Sequence, residues 1–250
     1  MSQTDPALIP DTCAAQAPSD TMPLRTVRMA PEDRKRDLVE KAANFFSEEG
    51  FDAGTRQLAR QLGVTQPLIY RYFASKEDLI NEVYRKIYVS QWQDSWTETI
   101  RDRSRPLKER LHEFYRSYCP TIFNRRWMRI FFFAGLKGLD INTRYLARVR
   151  SELLLPMAEE MRVELGLDCD LPITSEESEL VWLMHGAVFY QGIREQIYRS
   201  VVAVDYDTAL NTAIDMYMQK APVVVPAAIA RARAGELSPP EAVPTLLPIV

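Results

Sequence analysis

Residues 55–78 read TRQLARQLGVTQPLIYRYFASKED, the pattern of two short helices joined by a tight turn. In the first, Leu58, Ala59 and Leu62 fall at i, i+1 and i+4, enough apolar surface for one short helix lying on a neighbour. Gly63 supplies the turn. In the second, Thr65 stands where its hydroxyl can cap a helix, and Pro67 falls in the first turn, where a missing N–H is tolerated. Leu68, Ile69, Tyr72 and Phe73 provide anchoring surface behind it. Ser75 to Asp78 has the Ser-x-x-Asp form of a capping signal for a longer helix carrying Leu79, Ile80, Val83, Ile87 and Val89. A helix that is short, held rigidly from behind and free of bulk at its leading end meets the requirements for entering the major groove of DNA.

Upstream, Pro31 followed by Glu32 and Asp33 places a preset φ and two acids in a first helical turn, where they complement the helix dipole. Leu38, Ala42, Phe45 and Phe46 follow as one apolar stripe, and Gly50 ends the helix. Downstream of residue 100 the chain stays helical. Pro106, Pro120, Pro156 and Pro172 punctuate it into four to six helices, and Trp127 to Leu136 is so apolar that it should be surrounded on most sides. Residues 176–198 are apolar nearly all the way round, which a helix of a monomer rarely needs. Residues 205–220 place Tyr206, Ala209, Leu210, Ala213, Met216 and Tyr217 on one stripe. Strand signals are nearly absent, so the expected fold class is all-α.

Eleven of the sixteen prolines lie at the two ends, five at positions 6–31 and six at 222–248, without apolar periodicity around them. Such segments bury too little surface to offset the entropy of ordering. The expected organisation is a flexible arm at 1–30, a three-helix head carrying the helix-turn-helix at 31–85, a larger helical domain at 86–220, and an Ala/Pro-rich disordered tail at 221–250.

Composition narrows the function classes. Cys13, Cys119 and Cys169 are scattered, and His112 and His185 are isolated, so neither a disulfide framework nor a metal site is expected. A cofactor is not expected either. There is no Gly-rich phosphate loop and no Ser-His-Asp arrangement identifiable by spacing, which argues against an enzyme. Neither a signal peptide nor a stretch of about 20 apolar residues is seen, so no membrane association and a cytoplasmic location are expected. The net charge of −3 does not favour nucleic acid, and residues 31–85 hold nine Lys or Arg against ten Asp or Glu. Phosphates sense charge only within roughly 10 Å. Arg56, Arg60, Arg71 and Lys76, with Arg25 and Arg28 of the arm, can still share one face.

The order of long helix, Gly50-Phe51, Leu58-Ala59, Gly63-Val64, Tyr70-Arg71-Tyr72-Phe73 and Ser75-Lys76-Glu77 resembles the DNA-binding domain of TetR-type transcriptional regulators over about residues 31–85. The link from Gly50 to Leu58 is a residue shorter than that pattern. The resemblance implies an all-helical homodimer, no enzyme, whose DNA-binding domain at 31–85 reads a near-palindromic double-stranded operator and whose residues 86–220 form a ligand-sensing and dimerisation domain behind each DNA-reading head, acting as a repressor. Two-fold symmetry places half-sites in successive major grooves, roughly 34 to 36 Å apart or somewhat more. The rival reading is a helical small-molecule-binding module or enzyme whose head does not bind DNA.

Within the head, Arg56 is the candidate phosphate contact at the start of the second helix. Thr65 is a cap or a backbone ligand, and Gln66 is the favoured base reader, able to pair bidentately with adenine N6 and N7. Pro67 and Leu68 can touch a thymine methyl. Arg71 stands between Tyr70 and Tyr72, and the three cannot all face one way on a helix. The resemblance assigns Tyr70 and Lys76 to the DNA backbone, whereas Tyr72 can equally brace the helix. Tyr115, Tyr118, Trp127, Phe131, Trp182 and Phe189 are the candidates for an apolar or planar effector pocket, against the alternative that they are ordinary core. His185 reads best as a packed histidine satisfied by a carbonyl.

Overall fold

The computed structural model describes residues 29–167 and 170–236. Among them there are no strands, and the helices run in the order α1 (Pro31–Glu49), α2 (Thr55–Gln61), α3 (Gln66–Tyr72), α4 (Lys76–Tyr84), α5 (Ser95–Arg101), α6 (Leu107–Ile122), α7 (Arg125–Leu136), α8 (Ile141–Val149), α9 (Leu155–Glu164), α10 (Ser175–Gln196) and α11 (Tyr206–Arg233). The arm, apart from its last two residues, and positions 237–250 of the expected tail lie outside the described residues.

The first four helices form the head. Leu38, Ala42, Phe45 and Phe46 of α1 are buried in one core with Leu58, Ala59, Leu62, Ile69 and Phe73. Gly50 ends α1 with φ +73°, and the following Phe51 stacks on Phe46 at 4.7 Å. The turn between α2 and α3 is a Schellman closure. Gly63 N–H donates to Arg60 O at 3.1 Å and Val64 N–H to Ala59 O at 3.0 Å, around a Gly63 φ of +67° that a side chain would strain.

Two caps differ in detail from expectation. Ser75 Oγ accepts from Asp78 N–H at 3.1 Å, as its spacing predicts, but the Asp78 carboxylate returns to Ala74 N–H instead of Ser75. Thr65 sits at the N-cap with its carbonyl accepting from Leu68 and Ile69, and its hydroxyl makes no cap bond. The reason is local: Pro67 has no N–H to offer, and Leu68 N–H is taken by the Thr65 carbonyl.

No linker separates head from body. Beyond Tyr84, α4 continues as a π-helical turn over Arg85–Val89, closed by Ser90 N–H donating to Arg85 O at 2.8 Å. The wider turn shifts the register, so Tyr88 is buried and Val89, expected on the apolar stripe, is exposed. A second π-helical turn, Arg150–Leu154, joins α8 to α9.

The body is a helical bundle in which α10 and α11 form the most extensive helix pair. Buried ion pairs fix its connections. Arg110 donates to Glu160 at 2.9 Å with both side chains at most 2% exposed, and Arg103 joins the same carboxylate. Burial alone raises the Glu160 carboxyl, yet the two guanidinium groups offset this and hold it below the usual range. Arg162 holds Glu177 through two bonds of 2.6 Å and also donates to the carbonyls of Leu171 and Pro172; Glu177 completes a capping box with Thr174 at the start of α10.

The expected tail at 221–250 begins too early. Helix α11 runs through Pro222 and Pro226 to Arg233. Each proline removes one backbone donor, but Ala221, Val225, Ala228 and Ile229 fall at i, i+4, i+7 and i+8 and are buried, and Arg231 pairs with Glu176. The burial of this stripe, obscured in the sequence by Ala and Pro, holds the helix where composition alone suggests disorder.

Candidate nucleic-acid interface

Helix α3 divides cleanly into two faces. Ile69 and Phe73 are buried and Tyr72 packs half-buried against the core, while Thr65, Pro67, Tyr70 and Arg71 are exposed and Gln66 and Leu68 are half-exposed. The i, i+1, i+4, i+5 set of Gln66, Pro67, Tyr70 and Arg71 is therefore the outward stripe. Tyr72, one of the expected DNA contacts, lies on the inner side and braces the helix. Tyr70 donates its hydroxyl to Thr55 Oγ1 at 3.3 Å, tying the outer face of α3 to the start of α2, where Arg56 is also exposed.

Part of the head's charge is paired internally. Asp33, Asp37, Glu40 and Glu82 are all occupied by bases: Arg36, Arg34 and Lys41, Lys86 and Arg126, and Lys35 and Arg85 respectively. The hydrogen bond from Lys86 and the proximity of Arg126 hold the Glu40 carboxyl low against its partial burial. Among the described residues, Arg56, Arg60 and Arg71 have no carboxylate within ion-pair distance, and all three are exposed. Among the described residues, the exposed unneutralised cations of the head thus sit on α2 and α3, and Lys76 of α4, half-buried, also pairs with no carboxylate.

Lys76 is placed differently from its expected role. Its ammonium is half-buried and donates to Phe51 O at 2.5 Å and Ala53 O at 2.9 Å, clipping the α1–α2 turn, and burial pulls it below the usual lysine range. One of its three N–H groups is left for any further partner.

The effector candidates are brought together, but against one another. Tyr115 and Tyr118 are buried; the Tyr118 and Tyr145 hydroxyls lie 3.0 Å apart. Trp127 stacks on Phe131 at 5.1 Å, Phe189 meets both edge-on, and Trp182 meets His185 edge-on at 5.8 Å. His185 is satisfied by the Tyr115 hydroxyl at 3.2 Å, not by a carbonyl, and burial pushes its imidazole down to about 4. Of the six candidates only Trp127 borders the cleft of about 420 Å³ that opens between the end of α4 and the α6–α7 junction, lined also by Lys86, Ser90, Gln91, Asn124 and Arg126.

Residues not singled out in the sequence join the head to α7. Arg126 pairs with Glu40 and donates to Asn44 Oδ1 at 3.0 Å; Arg129 donates to Ser47 O and, at 2.8 Å, to Glu48 O, satisfying carbonyls at the end of α1; Lys137 pairs with Asp52. Phe133 fills the space over Gly50, where a Cβ would lie 3.2 Å from its ring. The signal is present in the spacing: positions 126, 129, 133 and 137 form one helical face.

Comparison with known proteins agrees with this geometry. Residues 38–83 match the family described as bacterial regulatory proteins, tetR family. The chain is 25% identical over 118 residues to the HTH-type transcriptional regulator HbdR of Aromatoleum sp. (strain CIB), covering 47% of this chain and 51% of that protein. It is 47% identical over 53 residues to the uncharacterized HTH-type transcriptional regulator YdgC of Bacillus subtilis (strain 168), covering 21% of this chain and 27% of that protein. The matches thus span about half of the first relative and about a quarter of the second. Among solved structures, a TetR-like transcriptional regulator from Rhodococcus sp. RHA1 superposes with a TM-score of 0.54 at 16% identity, over 83% of this chain and 100% of that one, a likeness of fold. The head of this chain is thus similar to the tetR family of bacterial regulatory proteins over residues 38–83, and the all-helical fold of the chain is shared with a solved TetR-like regulator.

Proposed function

We propose that the protein is a DNA-binding transcriptional regulator, acting as a homodimeric, ligand-responsive repressor on a near-palindromic operator. The observation that carries this reading is the pairing of the head's charges, which leaves Arg56, Arg60 and Arg71 unneutralised beside the outward stripe of α3. In this reading Gln66 and Leu68 choose sequence, Thr65 and Pro67 approach the base edges, and Arg56, Tyr70, Arg71 and the remaining N–H of Lys76 contact phosphates, while Tyr72 fixes the tilt of the helix.

Dimerisation is supported by an apolar face on α10 and α11. Leu183 and Met216 are 63% and 67% exposed, and with Leu180, Met184, Ala187, Ala213 and Tyr217 they line an apolar groove suited to a second copy. Ligand response is supported by the cleft beside Trp127, because one wall is the π-helical end of α4, the helix that continues from the head. A ligand shifts DNA affinity from there only if it binds the two head arrangements with different affinity.

Selection of bound duplexes from a random pool tests the reading. Enrichment of a palindrome with half-sites in successive major grooves is the expected result; no enrichment at moderate salt overturns it. Substituting Gln66 should then change the preferred base at one position per half-site, at about 1 to 3 kcal/mol of discrimination.

A further inference from the structure

Helix α7 runs alongside α1 toward the DNA-facing end of the head. Successive contacts mark the path: Arg126 on Glu40 and Asn44, Arg129 on the carbonyls of Ser47 and Glu48, Phe133 on Gly50, and Lys137 on Asp52. The last of these brings a lysine of the body to the α1–α2 turn. That turn is short and crowded with donors. Lys76 donates to the carbonyls of Phe51 and Ala53, and Lys137 lies close enough to Lys76 for their like charges to act on each other. Thr55, at the end of the same turn, receives the Tyr70 hydroxyl. Six residues, 51–56, therefore connect Lys137 of the body to the outward stripe of α3.

We propose that Lys137 is a DNA-phosphate contact supplied by the body, held in place by Asp52 until a phosphate replaces the carboxylate. The proposal rests on the DNA-binding reading above and extends the contact surface beyond the helix-turn-helix. Three observations carry it. The Lys137–Asp52 pair is exposed, with side chains 44% and 73% accessible, and an exposed pair contributes little stability, so exchanging the carboxylate for a phosphate carries a small cost. The Arg129 bonds and the close seat of Phe133 on Gly50 fix α7 against α1, so the lysine is positioned with the head. Lys76, whose charge acts on Lys137, and Thr55, at the end of the turn that begins beside Asp52, are already assigned to or bonded with the phosphate-facing surface. Asp52 has the opposite effect: it competes for Lys137 and repels the backbone. Because Lys137 stands at the C-cap of α7, a displacement of α7 along α1 changes the grip on DNA directly.

The test is the salt dependence of operator affinity for the full-length protein, using the duplex recovered by selection. Neutralising one phosphate per subunit contributes about 0.9 to the slope of log K against log salt, so Lys137→Gln should flatten the slope of a dimer by about 1.8 and weaken binding roughly tenfold or more at physiological salt. Lys137→Arg should keep the slope. Lys108→Gln, whose ammonium pairs with Asp215, serves as the control and should keep it too. Asp52→Asn should tighten binding a few-fold at low salt. An unchanged slope for Lys137→Gln overturns the proposal while leaving the DNA-binding reading intact. So does a loss of affinity in Asp52→Asn equal to that in Lys137→Gln, since the pair would then be a structural strut; thermal melting of both variants identifies that case. Failure of the unsubstituted protein to bind any duplex overturns the DNA-binding reading and this proposal with it.

Discussion

Arginine has opposite uses in the two halves of the molecule. On α2 and α3, Arg56, Arg60 and Arg71 stand in solvent with no carboxylate beside them, whereas in the body Arg110 and Arg162 are buried and committed to Glu160 and Glu177. A buried guanidinium must be matched where it stands, because an unpaired charge in the interior costs several kcal/mol; it is architecture. An exposed and unmatched one costs nothing in the free protein and remains available to a phosphate. The difference explains how a chain of net charge −3 can leave arginines unmatched on one part of its surface.

Removing one partner of a buried pair breaks this contrast most severely. Glu160→Ala leaves Arg110 uncompensated and should lower unfolding free energy by about 3 to 5 kcal/mol in chemical denaturation. A decrease below about 1 kcal/mol would place this pair in the surface class and undo the contrast.

The next effect concerns pH. The folded-state His185 titrates at about 4 instead of near the usual 6.5, so between those values the unfolded chain binds a proton that the folded chain does not. Stability is therefore fully present above about pH 6.5 and falls as the pH drops to about 4, by roughly 3 kcal/mol from this group. The lowered Glu160 carboxyl acts in the same sense at more acid pH. Melting temperatures across this range should decline for the native sequence and decline less for His185→Gln; identical pH profiles would show that the imidazole does not titrate as its burial requires.

The smallest effect belongs to the head. Gly63→Ala forces a side chain into the left-handed region at φ +67° and should cost about 1 to 2 kcal/mol, read as a lower denaturation midpoint with an unchanged slope. Stabilisation by alanine would mean that the α2–α3 turn adopts another conformation.

Much of the head is legible in the sequence because its determinants are local. Gly63 closes the turn with bonds reaching no further than five residues, Ser75 caps its own helix, and Pro31 opens α1 at its first position. The division of α3 into outer and inner faces follows from helical period, which separates Tyr70 and Arg71 from Ile69 and Phe73. Tyr72 stands near the boundary of the two faces, where packing and not period settles the side. The remainder depends on partners far along the chain. Lys76 finds Phe51 and Ala53 more than twenty residues away, and Lys137 finds Asp52 across the head–body boundary. The aromatic residues read as pocket candidates pack on one another, and of the six only Trp127 borders the cleft beside it, an arrangement set by partners far along the chain. Composition misleads at residues 221–233, where Ala and Pro obscure a buried stripe at helical spacing. The π-helical turns leave no clear mark in the sequence, and the one after Tyr84 turns Val89 outward.

If the exposed, unmatched arginines of α2 and α3 grip DNA, the most direct measurement combines Arg56→Gln, Arg60→Gln and Arg71→Gln and follows affinity for the selected operator across a range of salt. The triple variant should keep a fold and melting temperature close to those of the unsubstituted protein and bind more weakly at every salt concentration. Its slope of log K against log salt should fall by about 0.9 for each phosphate that is no longer neutralised. An unchanged affinity and slope in the folded triple variant would contradict the assignment of these arginines to DNA.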